Sequence, residues 1–173
     1  INESPRFFGR ILLTQIDRFA LAEITPRQEE DEEQGVFRPE IFKGLGELGL
    51  CTLTVPEQNG GSGLGYVAFC KVLEQLSRYS ISYSVTLSVS CMVQGIIQRF
   101  GNDEQKKEFL PKLTSGEGIG AFCLSESHSG SDAAALKTTA KKDGSEYVLN
   151  GSKMWITSGG IASGGFVPSR NST

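Results

Sequence analysis

The residues best suited to chemistry sit close together, in Ala121-Phe122-Cys123-Leu124-Ser125-Glu126-Ser127-His128-Ser129-Gly130-Ser131-Asp132. An apolar run from Ile119 to Leu124 reads as a short strand with glycine before it and polar residues after it. The chain then turns through hydroxyls, two carboxylates and one imidazole, with little apolar surface to bury. A loop at a strand end can offer backbone N–H groups and hydroxyls to a phosphate or a polar ring. A solvated serine-rich turn would have the same composition, so this stretch leaves both readings open. His128 is the only histidine. A zinc site or a Ser-His-Asp triad would have to use it, yet only Glu126 and Asp132 stand near it in sequence. The expectation is a plain loop histidine and no metal site. Cys51, Cys70, Cys91 and Cys123 are scattered without a Cys-x-x-Cys pair, and are expected to be reduced and mostly buried in an intracellular protein.

The composition of the 173-residue chain narrows the classes further. Hydrophobic residues make up 38 % of it, enough for a packed core, and the formal net charge is −3 without a basic block. That argues against a nucleic-acid surface. No apolar run reads as long enough to span a membrane. The first residue is Ile1 rather than Met, so the start is read as cut or omitted, and no signal peptide is visible.

The elements that must position the turn follow from periodicity. Phe8, Leu12, Ile16 and Phe19 predict a helix from Pro5 to Ala22, and Glu29 to Glu33 a solvated acidic linker. Pro39 opens a helix with Ile41, Leu45 and Leu48 on one side, ended by Gly49. Cys51 to Val55 reads as extended, and Asn59-Gly60-Gly61-Ser62-Gly63 as a loop without phosphate-binding spacing. Further helices are expected over Tyr66 to Leu76, Val85 to Phe100 and Asp103 to Leu113, the last capped by Asn102. Ser88, Ser90 and Gln94 read as helix-contact residues rather than a pocket lining. Near Gly118 the period changes to two. Thr138 to Lys142, Glu146 to Leu149 and Lys153 to Thr157 then read as strands joined by turns at Asp143-Gly144 and Asn150-Gly151. The expected class is α+β: a helical domain over 1–118, then an incomplete antiparallel β-barrel over 119–173 with a Ser/Gly-rich unstructured tail. Asn150-Gly151-Ser152 and Asn171-Ser172-Thr173 match a glycosylation sequon, read as a turn and as chance.

Leu124-Ser125-Glu126 with Gly130-Ser131-Asp132, followed by Lys153-Met154-Trp155-Ile156-Thr157-Ser158-Gly159-Gly160, resembles the paired flavin-contacting motifs of the acyl-CoA dehydrogenase family. The resemblance continues upstream through Val55-Pro56-Glu57-Gln58-Asn59-Gly60-Gly61-Ser62-Gly63, Phe100-Gly101-Asn102-Asp103-Glu104-Gln105-Lys106 and Leu110-Pro111-Lys112-Leu113. It covers residues 5–162 in one order, which is far more specific than any single motif. It implies FAD as cofactor, an acyl-CoA substrate, and α,β-dehydrogenation with hydride passing to flavin N5. It also implies an electron-transfer flavoprotein or similar acceptor, and a homo-oligomer when intact. The location it implies is the mitochondrial matrix in a eukaryote or the cytoplasm in a bacterium. Carried over by motif, Phe122 and Leu124 offer backbone groups to the isoalloxazine edge, and Ser125 bonds near N1 and O2. Ser131 lies by the pyrophosphate and the substrate's CoA portion. Trp155 and Ile156 lie along the flavin, and Thr157 reaches N5.

Three departures qualify the resemblance. Ser127 and His128 stand where the family commonly has Pro followed by a small residue. After Ala162 the family continues with an apolar strand, and this chain does not. The rest of the barrel and the C-terminal helical bundle, which carries the family's catalytic glutamate, have no counterpart here. No residue therefore inherits the catalytic role. Two readings follow: a dehydrogenase represented by a truncated chain without its base, or a non-catalytic fragment acting as an interaction module.

Overall fold

The computed structural model describes residues 5–171, with side chains from residue 9 to 170. The Phe8 side chain and the sequon residues Ser172 and Thr173 lie outside that range. Helix α1 runs over Pro5–Phe19 and continues through a wide π-turn at Ala20–Ile24 and a tight turn at Thr25–Arg27. The acidic stretch is not a linker. It forms helix α2, Gln28–Gln34, ended by Gly35 in the left-handed conformation. Asp31 holds both sides of the Arg38 guanidinium, with Nε–Oδ2 at 2.8 Å and Nη2–Oδ1 at 2.6 Å. That pair fixes the approach to α3, Pro39–Glu47, which starts on proline as expected.

Cys51 to Val55 is not extended either. Leu50–Thr52 is a tight helical turn after left-handed Gly49, and Leu50, Cys51, Leu53 and Val55 are all buried. A strand would alternate its faces, whereas these side chains all need the same core. The glycine loop folds back on this segment: Ser62 N donates to Thr52 O, Gly63 N to Val55 O and Leu64 N to Leu53 O. Its N–H groups are thus committed inside the chain.

Helices α4 (Gly65–Ser77), α5 (Ile81–Phe100) and α6 (Asp103–Thr114) complete the helical layer. Helix α5 begins earlier than its apolar pattern suggests, because Ser80 caps it by accepting from Tyr83 N. Asn102 and Gln105 cap α6 reciprocally. At 20 residues and a mean hydropathy of 1.2, α5 is by length and composition long and apolar enough to cross a membrane, which corrects the expectation that no such run exists. In the fold it packs against α4, α6 and the first strand. The core joins Ile16, Ile41, Phe42, Leu45, Leu50, Leu76 and Leu87. Ser90 Oγ accepts from Gly120 N and Gln94 Nε2 donates to Leu113 O, so these two polar residues of α5 serve packing, as expected.

Strand β1, Gly120–Phe122, follows the helices. Strands β2 (Thr139–Asp143) and β3 (Glu146–Asn150) form the expected hairpin across Gly144 and Ser145. The remaining topology differs from an antiparallel meander. Strand β4, Gly164–Phe166, pairs parallel to β1, and β5, Arg170–Asn171, pairs parallel to β2. Only the β2–β3 ladder is antiparallel among the described strands. The tail expected to be unstructured therefore supplies two short strands. Its glycines allow it to lie along the open edge of β1, whose backbone groups need partners. Lys153 to Thr157 is not a strand, and Asn150-Gly151 joins no second hairpin. Trp155 at φ 59° takes that segment out of extended conformation. The fold is mixed helix and sheet, with the helical layer first.

Candidate functional site

The turn after β1 is held by its own backbone and by three distant segments. Cys123 N donates to Phe166 O at 2.8 Å, which carries the β1–β4 pairing one residue further. Glu126 and Ser129 exchange hydrogen bonds, N to O at 2.8 Å and 3.1 Å, so Ser127 and His128 form the tip of a tight turn. Ser129 Oγ donates to Asp132 O at 2.7 Å.

The centre of the turn is the Glu126 carboxylate, only 6 % exposed. Lys137 N donates to Oε2 at 2.6 Å, while Thr138 N and Lys153 Nζ donate to Oε1 at 2.9 Å and 2.8 Å. His128 Nε2 lies 3.4 Å from Oε2, so this histidine faces a carboxylate rather than only solvent. The Lys153 ammonium, followed by the Thr138 and Lys137 donors, holds the Glu126 carboxyl well below the usual carboxylate range. A carboxylate so occupied is a poor proton acceptor. Its chemistry is structural, and it is excluded as a general base in this geometry.

Lys153 is the counterpart of Glu126. Its ammonium also donates to Leu124 O at 3.1 Å and to Pro168 O at 2.9 Å. All three protons are used. Sequence reading treated Lys153 as one residue of a strand and missed this role. The available signal was a lone lysine heading an apolar run, with a carboxylate in a turn that held no lysine or arginine of its own.

Next in the chain, Met154 N donates to Ser125 O at 2.8 Å. That bond brings the second motif beside the first. Trp155 and Ser158 both have positive φ, 59° and 63°, which costs a non-glycine residue on the order of 1 kcal/mol each. Trp155 is 88 % exposed, Thr157 is exposed and Ile156 is half-buried. Among the described residues, the hydroxyls of Ser125 and Thr157 and the N–H groups of Ser125, Ile156 and Thr157 have no hydrogen-bond partner. The strip thus offers a flat apolar face beside unpaired donors, the combination a polar planar ring requires.

The other candidates stand further off. Phe122 turns its ring onto Phe166, stacked at 5.6 Å, so only its backbone remains for a ligand. Leu124 N donates to Phe122 O at 3.2 Å, and Leu124 O is engaged by Lys153. Ser131 is exposed and bonds to none of the other candidates.

Elsewhere, an apolar cleft of about 320 Å³ lies between α5, α6 and β4, lined by Val93, Ile97, Phe100, Phe109, Leu113 and Phe166. It includes no residue of the turn or of the 153–157 strip. No cluster of metal-ligating side chains occurs among the described residues. Cys51 and Cys91 are buried, and burial pushes the Cys51 thiol up to about 12, which leaves it inert. Cys123 is half-buried and Cys70 exposed, so the expected burial holds for two of the four.

Comparison with known proteins matches residues 10–117 to the acyl-CoA dehydrogenase N-terminal domain and residues 121–173 to the acyl-CoA dehydrogenase middle domain. An acyl-CoA dehydrogenase of Bacillus subtilis (strain 168) is 46 % identical over 145 residues, 83 % of this chain and 38 % of the relative. The mitochondrial isovaleryl-CoA dehydrogenase of Pongo abelii is 41 % identical over 156 residues, 87 % of this chain and 36 % of the relative. A glutaryl-CoA dehydrogenase from Mycobacterium smegmatis, solved with FADH2, superposes with a TM-score of 0.89 at 31 % identity, covering 94 % of this chain and 42 % of that one. This chain therefore spans well under half the length of each of these relatives.

Proposed function

The chain belongs to the acyl-CoA dehydrogenase family, flavoprotein oxidoreductases of fatty-acid and amino-acid catabolism, and from that premise we propose that it forms the flavin-facing part of an FAD-dependent dehydrogenase acting on a CoA thioester. The observation that carries the proposal is the strip beside Ser125: an indole 88 % exposed, next to unpaired hydroxyls and N–H donors. An isoalloxazine has apolar faces and an edge of nitrogens and oxygens. The residues present fit both parts.

In this reading Ser125 donates its hydroxyl to the pyrimidine edge, where negative charge grows on reduction. Phe122 and Leu124 flank that edge, although Leu124 N is shared with Phe122 O and Leu124 O is engaged by Lys153. Trp155 and Ile156 cover the ring and exclude water, and Thr157 donates toward N5. Ser131 reaches toward the pyrophosphate and the CoA portion of the substrate. When bound, FAD supplies the hydride acceptor, and the protein supplies position and electrostatics. Glu126 is committed to Lys153, Lys137 and Thr138 and does not take the substrate's α-proton in this reading; following the resemblance, we assign that step to a base outside these 173 residues. We assign 1–118 to the helical domain and 119–173 to part of the middle domain. Electron-transfer flavoprotein or a similar acceptor, and a homo-oligomeric assembly, complete the proposal for the whole protein.

The test is calorimetric titration of the chain with FAD. Ser125→Ala and Thr157→Ala each remove one hydrogen bond, about 1 kcal/mol, and are expected to weaken binding roughly five-fold. His128→Ala is expected to change it much less. Equal losses for all three would reject the assignment.

A further inference from the structure

We propose that Lys153 and Glu126 are a positioning pair that sets where the Ser125 turn and the 153–157 strip stand relative to each other, and hence the geometry of the flavin edge. This rests on the flavin reading above. The contacts of the ammonium carry the idea. Lys153 Nζ bonds to Leu124 O, to Glu126 Oε1 and to Pro168 O, at 3.1, 2.8 and 2.9 Å. These acceptors belong to two separate stretches: the turn after β1, at Leu124 and Glu126, and the link between β4 and β5 at Pro168. The carboxylate binds in turn the N–H groups of Lys137 and Thr138, just before β2. One ion pair therefore joins nearly every segment that surrounds the candidate site.

The strip itself has few other anchors. Met154 N reaches Ser125 O, and the next residue enters the left-handed region. The Trp155 ring is almost fully exposed and Thr157 has no hydrogen-bond partner among the described residues. Beyond Trp155 the strip closes into a turn, Gly159 N donating to Ile156 O and Ala162 N to Ser158 O, so its root on the side of the Ser125 turn is Lys153. The hydrophobic core of the helices includes none of these residues. Loss of the pair should therefore loosen the strip while leaving the helical layer intact.

Trp155 is the only tryptophan, so its fluorescence reports the strip alone. The experiment compares the full chain with Lys153→Met, Glu126→Gln, their double variant and Lys153→Arg. Trp155 anisotropy and amide exchange at 154–158 are measured first, then FAD affinity, with far-UV circular dichroism as the check on folding. Both single variants should lower the anisotropy, speed exchange and weaken FAD binding about ten-fold, and the double variant should be no worse than the poorer single. Lys153→Arg should recover part of each signal, because a guanidinium can serve two of the three acceptors. Unchanged anisotropy and exchange in the folded single variants would overturn the proposal, whatever happens to FAD. If the strip loosens in both variants but the unaltered chain takes no FAD, the pair's positioning role stands and the flavin reading falls. If FAD binds all variants alike and the strip stays fixed, the flavin reading stands and the positioning role falls. Should Lys153→Met fail to fold, Glu126→Gln and Lys153→Arg decide by the same signals.

Discussion

In the helical layer, Phe42, Leu45, Leu50 and Leu76 have no exposed surface, whereas every residue of β3, Glu146 to Asn150, is exposed. Tyr147, Val148 and Leu149 are 60 %, 47 % and 51 % exposed. The helices thus draw their stability from apolar burial in the ordinary way. Strands β2 and β3 bury little, and their attachment to the turn depends on polar links: Glu126 to Lys153, Lys137 and Thr138, and Lys153 to two carbonyls. The difference teaches where each half is sensitive. Apolar truncation should damage the helices, and loss of charge should damage the strands. It also explains why the only buried carboxylate near the site cannot double as a catalyst.

The largest expected effect concerns activity and follows from that last point. The chain with added FAD should not oxidise acyl-CoA thioesters at a useful rate in an electron-acceptor dye assay across chain lengths. If the base lies outside these residues, as proposed, its absence alone removes roughly 10²–10⁴-fold of rate. Turnover comparable to a complete dehydrogenase, abolished by Glu126→Gln, would show that the turn carboxylate reacts and would collapse the distinction between the two regions.

Next in size is Phe42→Ala. Emptying that fully buried position should cost about 3–5 kcal/mol, read as a large fall in the denaturation midpoint. A loss below about 1 kcal/mol would mean that the helical core is not the main source of stability.

Acid should act mainly on the polar links. The Glu126 carboxyl is held below its ordinary 4.5 by Lys153 first, and Asp31 below 3.8 by Arg38. A carboxylate depressed in the folded state contributes its full stability above the unfolded value and loses it as pH falls toward the folded one. The melting temperature should therefore drop steadily as pH falls from about 5. In Glu126→Gln that slope should be shallower, although His128 and Lys153 still face the position. An identical slope in both proteins would count against the Glu126 link.

Smallest of all is Leu149→Ala, on the exposed face of β3, expected within about 0.5 kcal/mol of the unaltered chain. A loss as large as that of Phe42→Ala would mean that β3 is buried against something in solution.

The helices were legible because their signals are local. Pro39, Gly49, Asn102 and the i, i+4 apolar pairs act within one or two turns of chain. The β2–β3 hairpin was legible for the same reason, through Asp143-Gly144. What escaped depends on contacts remote in sequence. Lys153 reads as a strand residue until its ammonium meets Glu126, 27 positions earlier. Gly164-Gly165-Phe166 reads as a flexible tail until β1 offers it an edge. The acidic run, solvated as expected, reads as a linker until it folds as α2 and Asp31 meets Arg38. In the candidate site, the motif residues Ser125 and Trp155 to Thr157 were named from resemblance. The pair that links their two segments was visible only in the fold.

The most direct test of the flavin reading is amide hydrogen exchange of the chain with and without FAD. Protection is expected at 122–126 and 153–158, with the helices from Pro5 to Glu47 unchanged. Protection confined to the cleft between α5 and α6, or no protection while FAD is demonstrably bound, would contradict it.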